Sequence, residues 1–199
     1  MDLEILLALV VFAFVMSITP GPNNLMVLTS GVNFGFRRTI PHMLGISAGL
    51  LTLLLAVGFG LGMLVETTPW LHAALKAAGG AYLLYLAWRI AFSRALGESR
   101  AAARPLSFGG AALFQWVNPK AWVMALAAMA GYTRADNHTW SILVVGMVIA
   151  VGGLPCVSVW AGFGTALRAW LSDPIRLRWF NGFMGVLLAL SLWPMLLGQ

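Results

Sequence analysis

The sequence predicts an all-α integral membrane protein of six transmembrane helices, arranged as a 3+3 inverted repeat with Pro-broken helices one and four. Three observations carry that reading. Of the 199 residues, 60% are apolar and only 9% are charged, against about 25% charged in a soluble domain, and mean hydropathy is +0.88. At ~20 apolar residues per crossing, the chain has room for about six spans with short loops. Prolines interrupt the first and fourth apolar segments at matching places. So few charges could not cover a water-soluble globule of this size, which excludes an ordinary soluble enzyme. Disorder requires the opposite composition. A single membrane domain over residues 1–199 is expected.

The spans read in order as about Leu3–Asn33, Ile40–Val65, Trp70–Phe92, Phe108–Tyr132, Trp140–Leu167 and Ile175–Leu197. Thr68-Pro69 and Asp173-Pro174 place a proline just after a capping residue, a helix-start signal. Asp2 and Glu4 open the chain without a base, and no small-x-small site follows Ile5–Val15, so no cleaved signal is expected. Arg37, Arg38, Arg89, Arg94, Arg100, Arg104, Arg168, Arg176 and Arg178 fall on one side of the six-span layout. Lys76 and Arg134, the latter offset by Asp136, fall on the other. The positive-inside rule then puts both termini on the non-cytoplasmic side. It also explains the net charge of +6 without nucleic acid, for which there is no longer basic run than Arg37-Arg38. Cys156, the single cysteine, excludes an internal disulfide and a Cys-based metal cluster.

The first segment would be about 46 Å long as one helix, too long for a ~30 Å hydrocarbon core unless it tilts or breaks. Pro20, Gly21 and Pro22 supply the break at membrane depth, and Thr19, Asn23 and Asn24 supply polar groups for the freed carbonyls. The fourth segment repeats the pattern with Gln115, Asn118, Pro119 and Lys120 at its centre. A mid-span Lys costs about 2.5–3.5 kcal/mol unless it faces a cavity or partner. No Asp or Glu lies at its depth. Three spans per half make the second half enter the membrane inverted, and paired broken helices then mark a secondary transporter's binding site. The helix resuming after Pro22 offers a positive dipole end; with Lys120 it suits a carboxylate, while Thr19, Asn23, Asn24, Gln115 and Asn118 suit the rest of a zwitterion. Lys120 shedding its proton when the site is empty is one route to proton coupling.

Blander readings stand beside these. Proline kinks serve packing in many membrane helices, and Lys120 could snorkel toward an interface. Gly45 and Gly49 read as a close-packing face. Gly152, Gly153 and Pro155 in span five read as either an alternating-access hinge or a plain kink. His42, His72 and His138 lie near span ends and are expected at interfaces, as are most of the nine Trp. No nucleophile–base pair, metal cluster or G-x-x-x-x-G-K-[ST] loop is present, so no enzyme, no metal and no cofactor is expected.

Thr19-Pro20-Gly21-Pro22-Asn23 opening a six-span chain resembles the LysE/RhtB family of amino-acid exporters. The similarity continues through Gly35-Phe36-Arg37, Gly45 and Gly49, Ala81-Tyr82-Leu83, Leu86-Ala87-Trp88, Phe108 and Asn118-Pro119-Lys120. The resemblance implies a bacterial inner-membrane exporter, an antiport driven by the proton gradient, moving small amino acids outward. Thr-Pro-Gly-Pro-Asn-Asn and Pro105-Leu106-Ser107-Phe108 look most like the cysteine/O-acetylserine branch, with homoserine/threonine and leucine exporters close to it. The lysine/arginine branch carries an acid in its second span; Gly45 to Leu55 has none. Expected partners are the amino acid, protons, the lipid bilayer and a second copy of the chain as a homodimer. The competing class is a non-transporting membrane subunit that packs against a partner protein.

Overall fold

A computed structural model describes residues 2–93 and 104–193. Arg94 and Arg100 of the basic loop, and the sixth expected span beyond Trp193, lie outside the described residues. The helices are α1 Leu3–Ile18, α2 Pro22–Phe34, α3 Phe36–Ala56, α4 Gly62–Thr67, α5 Pro69–Ala91, α6 Phe108–Gln115, α7 Pro119–Tyr132, α8 His138–Leu167 and α9 Pro174–Leu190. A π turn at Val57–Leu61 joins α3 to α4. No strand occurs among the described residues.

Helix starts follow the prolines. α2, α5, α7 and α9 each begin on Pro, where the missing amide costs nothing and φ is already helical. Asp173 caps α9 by accepting from the amides of Ile175 (2.8 Å) and Arg176 (2.9 Å). The Arg176 amide bond, ahead of that from Ile175, holds its carboxyl below the usual 3.8. Between α2 and α3 the chain turns at Gly35 with φ 81°, a region a Cβ disfavours.

Two stretches among the described residues, Phe36–Val65 and Ala135–Leu167, are long and apolar enough to cross a membrane. α1 and α2 make a third if taken as one span bent by 57°. α5, the α6–α7 pair and α9 are shorter or less apolar. Even so, their outward faces are apolar: Leu113 of α6 is 72% exposed, and Leu84, Val123, Phe183 and Val186 also point away from the protein. Such continuous apolar exposure belongs in lipid rather than water.

The core forms where small residues let backbones meet. α2 lies against α8, where a Cβ at Gly31 would strike the Ala161 carbonyl and one at Gly164 the Leu28 carbonyl. Gly45 and Gly49 of α3 sit on the Phe108 and Ala112 carbonyls of α6, so they form the close-packing face the sequence suggests. α1 packs on α8, α6 on α3, and α5 on α9.

Each end of the bundle has its own polar fastening. At one, Arg134 pairs with Asp2 (3.1 Å) and Asp136 (3.2 Å). At the other, Asn33 of α2 donates to Asn181 of α9 (3.2 Å), and Asn181 donates to the Ser93 carbonyl (2.9 Å). The Arg37, Arg38 and Arg168 side belongs to this second end, since Arg168 lies against Gly35. His42 corrects the sequence reading. It is 1% exposed, because it shares the inward face of α3 with Ile46 and Leu50 instead of reaching an interface. His138, at the start of α8, is exposed, and the His72 side chain lies outside what the structure describes.

Candidate functional site: two broken helices docked at one pocket

A helix that ends inside a membrane leaves carbonyls that water cannot satisfy. At the end of α1 every carbonyl from Val15 to Pro20 has a donor. Val15 accepts from the Thr19 amide (3.2 Å) and Met16 from Thr19 Oγ1 (3.2 Å). The Asn24 side chain spans the break, donating to Ser17 and Thr19 (both 2.8 Å). Trp160 Nε1 of α8 donates to Ile18 (3.0 Å). Lys120 Nζ of α7 donates to the Thr19 carbonyl and Thr19 Oγ1 (both 2.8 Å) and to the Pro20 carbonyl at 3.4 Å.

The counter-charge for Lys120 is therefore not a carboxylate. It is the negative end of α1, a terminus with no basic residue of its own in the last turn, where a cation is favoured. Gly21 makes room for this contact: a Cβ there would lie 2.8 Å from Lys120 Cδ.

The second break is built the same way. α6 ends at Gln115 and α7 begins at Pro119, so the fourth segment is fully interrupted. The Trp116 carbonyl accepts from Trp122 Nε1 (2.8 Å), and Asn118 Oδ1 caps α7 by accepting from the Lys120 amide (3.2 Å). The two breaks are joined by a reciprocal amide pair. Asn23 donates to Gln115 Oε1 (2.8 Å), and Gln115 donates back to Asn23 Oδ1 (3.1 Å). Gln115, fully buried, also donates to the Ala111 carbonyl (3.0 Å).

Between the breaks is a pocket with about 50 Å³ of space for water-sized occupants, enough for ordered water or the head of a small solute. Asn23, Asn24, Gln115, Asn118 and Lys120 line it, with Gly21 and Gly153. Thr19 reaches it through Lys120. The sequence-expected site residues are thus gathered in one place, as are the breaks at Pro20, Gly21, Pro22 and Pro119. Span five divides differently: Gly153 faces the pocket, while Gly152 and Pro155 are exposed and α8 runs unbroken past them. Ser17, Ser47 and Met124 also line the pocket and were not legible as site residues; nor was Trp160. Asn118 Nδ2 makes one long contact, 3.5 Å to Gln115 Oε1. The α2 and α7 starts both lie at the pocket, so it is rimmed by two positive helix ends.

Fold and site together define a helical membrane protein whose polar pocket lies where two interrupted helices meet. The family model for the LysE type translocator matches residues 14–191, and the chain belongs to that family. It is 32% identical over 144 residues to the cysteine/O-acetylserine efflux protein of Escherichia coli strain K12, covering 71% of this chain and 73% of the relative. The cysteine/O-acetylserine efflux protein of Shigella flexneri matches at the same identity and coverage. That of Escherichia coli O1:K1 is 31% identical over the same length. No solved structure matches.

Proposed function

We propose that this chain is a secondary exporter of small neutral amino acids or their derivatives, of the cysteine, O-acetylserine, homoserine/threonine or leucine type. It works as one domain in the bacterial inner membrane and is driven by the proton gradient. The observation that carries the reading is the docking of two proline-broken helices around one pocket, with Lys120 bridging them. Two helix N-termini and the Lys120 ammonium suit a carboxylate. The amides of Asn118 and Asn23 suit the remaining polar groups. With no carboxylate lining the pocket, a basic side chain would find no counter-charge there, which favours neutral solutes.

The packing supports a six-span layout with two inverted halves. α1 lies on α8 as its counterpart α6 lies on α3, and α5 faces α9, which pairs the third span of each half. With the Arg37, Arg38 and Arg168 end cytoplasmic, both termini are external. Thr19, Asn23, Asn24, Gln115, Asn118 and Lys120 form the substrate site. Gly153, packed beside Ser17 with an ideal Cβ 3.2 Å from its hydroxyl, lets α8 slide against the end of α1.

Liposomes containing only this protein test the reading. They are preloaded with labelled cysteine, O-acetylserine, threonine, leucine or lysine and given a pH gradient. Gradient-dependent loss of a neutral amino acid, reduced at least ~100-fold in Lys120→Met, is expected; one lost charge contact of ~2.7 kcal/mol would do this. No movement of any solute by folded protein would overturn the reading and favour a non-transporting subunit.

A further inference from the structure

His42 is buried to 1% exposure, and neither Nδ1 nor Nε2 has a hydrogen-bond partner. Among the described residues no other buried side-chain nitrogen or oxygen is left in that condition. Native folds rarely leave a buried polar group without a partner. Its position suggests the use. His42, Ile46 and Leu50 recur every fourth residue on one face of α3, and Ile46 and Leu50 line the pocket. The imidazole therefore sits one turn, ~6 Å along the axis, beyond the pocket wall, toward the end that carries Arg37 and Arg38. Thr39, one turn further, is hydrogen-bonded to Ser30 of α2 at 2.8 Å. Between them stands Pro41, inside α3. It has no amide to give the Arg37 carbonyl, and prolines are where helices bend.

The neighbouring elements offer His42 no anion. α2, α6 and the π turn carry no ionisable side chain. α7 contributes Lys120 and Tyr132, and α8 contributes His138 and Cys156. α3 itself adds Arg37 and Arg38, both exposed, and the segment leading into α6 adds Arg104, also exposed. An imidazolium sealed here would meet cations and no carboxylate. The described conformation has no place for that charge, whereas one in which α3 bends at Pro41 would admit water to it.

We propose that His42 is the proton-binding residue of the transport cycle, taking a proton on an unpartnered ring nitrogen only when α3 opens beside it. This rests on the exporter reading. The proton is then a ligand of one conformation and not the other. It binds from water on one side when α3 opens, shifts the carrier, and leaves through the adjoining pocket to water on the other side before the closed state returns. Solute and proton thereby favour different states through one helix, α3, which carries both Ile46 at the pocket and His42 below it.

The test uses full-length protein in liposomes, wild type beside His42→Gln and His42→Leu. Two rates are read: exchange of labelled cysteine or O-acetylserine at equal pH on both sides, and efflux driven by an imposed pH gradient. Both variants are expected to keep exchange within about twofold and to lose at least tenfold of the gradient-driven component. His42→Leu, which removes the unpaired polar atoms, is also expected to raise Tm by about 2–4 °C. Variants that stay gradient-driven would overturn the role of His42 and leave the exporter reading standing. Loss of both rates in folded protein, or failure of both variants to fold, would make His42 structural and overturn the proposal. Wild type that exchanges neither these nor the other amino acids would overturn the exporter reading and this proposal with it.

Discussion

α2 and α7 begin alike and are held differently. Each follows a break, each starts on proline, and each presents its positive end to the same pocket. Yet α2 buries eleven of its thirteen residues, whereas α7 buries five of fourteen. The difference lies in the small residues. Gly31 and Gly164 bring α2 and α8 into backbone contact, while Gly131 of α7 has nothing within 4 Å of where its Cβ would be. α7 sets one face, Ala121, Met124, Ala125, Ala128 and Met129, into the core, and is tied at its ends by Lys120 on the end of α1 and by Tyr132 donating to the Ala8 carbonyl at 3.4 Å. A shared proline break sets where each helix starts, and glycine contacts set how closely it is seated on its neighbour.

The strongest way to break that contrast is to overfill the α2–α8 seam. Gly164→Val is expected to drive a side chain into the Leu28 carbonyl and cost about 3 kcal/mol or more, abolishing recovery of monodisperse protein. Gly131→Ala is expected to leave Tm within about 1 °C, or to raise it slightly through the better helix propensity of Ala. Equal effects at the two positions would remove the distinction.

A smaller effect probes the joint between the breaks. Asn23→Ala removes one of the partners of the buried Gln115 amide, and Gln115→Ala leaves the half-buried Asn23 amide without its partner; each is expected to lower stability by about 1 kcal/mol. The double variant is expected to cost less than the sum, with a coupling of about 0.5–3 kcal/mol in a double-mutant cycle of thermal or denaturant unfolding. Strict additivity would mean the reciprocal pair does not tie the breaks together.

The smallest effect concerns pH at the second end of the bundle. Asp173 is held below its ordinary 3.8 by the amides it caps, so its contribution is present above that value and is lost as pH falls through the lowered one. Asp173→Asn keeps much of the cap and removes the charge. Its unfolding midpoint should differ less from wild type at pH 3 than at pH 6.

The breaks were legible because Pro, Gly and Asn at membrane depth have few other uses. Thr19, Asn23, Asn24, Gln115, Asn118 and Lys120 do converge as their spacing suggested. What the sequence hid was the partners. The counter-charge of Lys120 is a set of backbone carbonyls, which every residue has and no motif marks. Trp160 reaches Ile18 across 142 positions, a pairing that depends on how α8 crosses α1. The π turn with Gly60 at φ 111° is foreshadowed by Gly58, Gly60 and Gly62, which do not by themselves give its geometry. His42 sits close enough to a span end to suggest an interface, and only the rotation of α3 shows that it faces inward.

Binding of a zwitterion where the two breaks meet, with its carboxylate on Lys120, is read out by equilibrium titration. Purified wild type and Lys120→Met are titrated with cysteine and with its decarboxylated amine. Wild type is expected to bind the amino acid at least tenfold more tightly than the amine, and Lys120→Met to bind the two alike. A Lys120→Met protein that keeps the full preference for the amino acid would contradict that placement of the carboxylate.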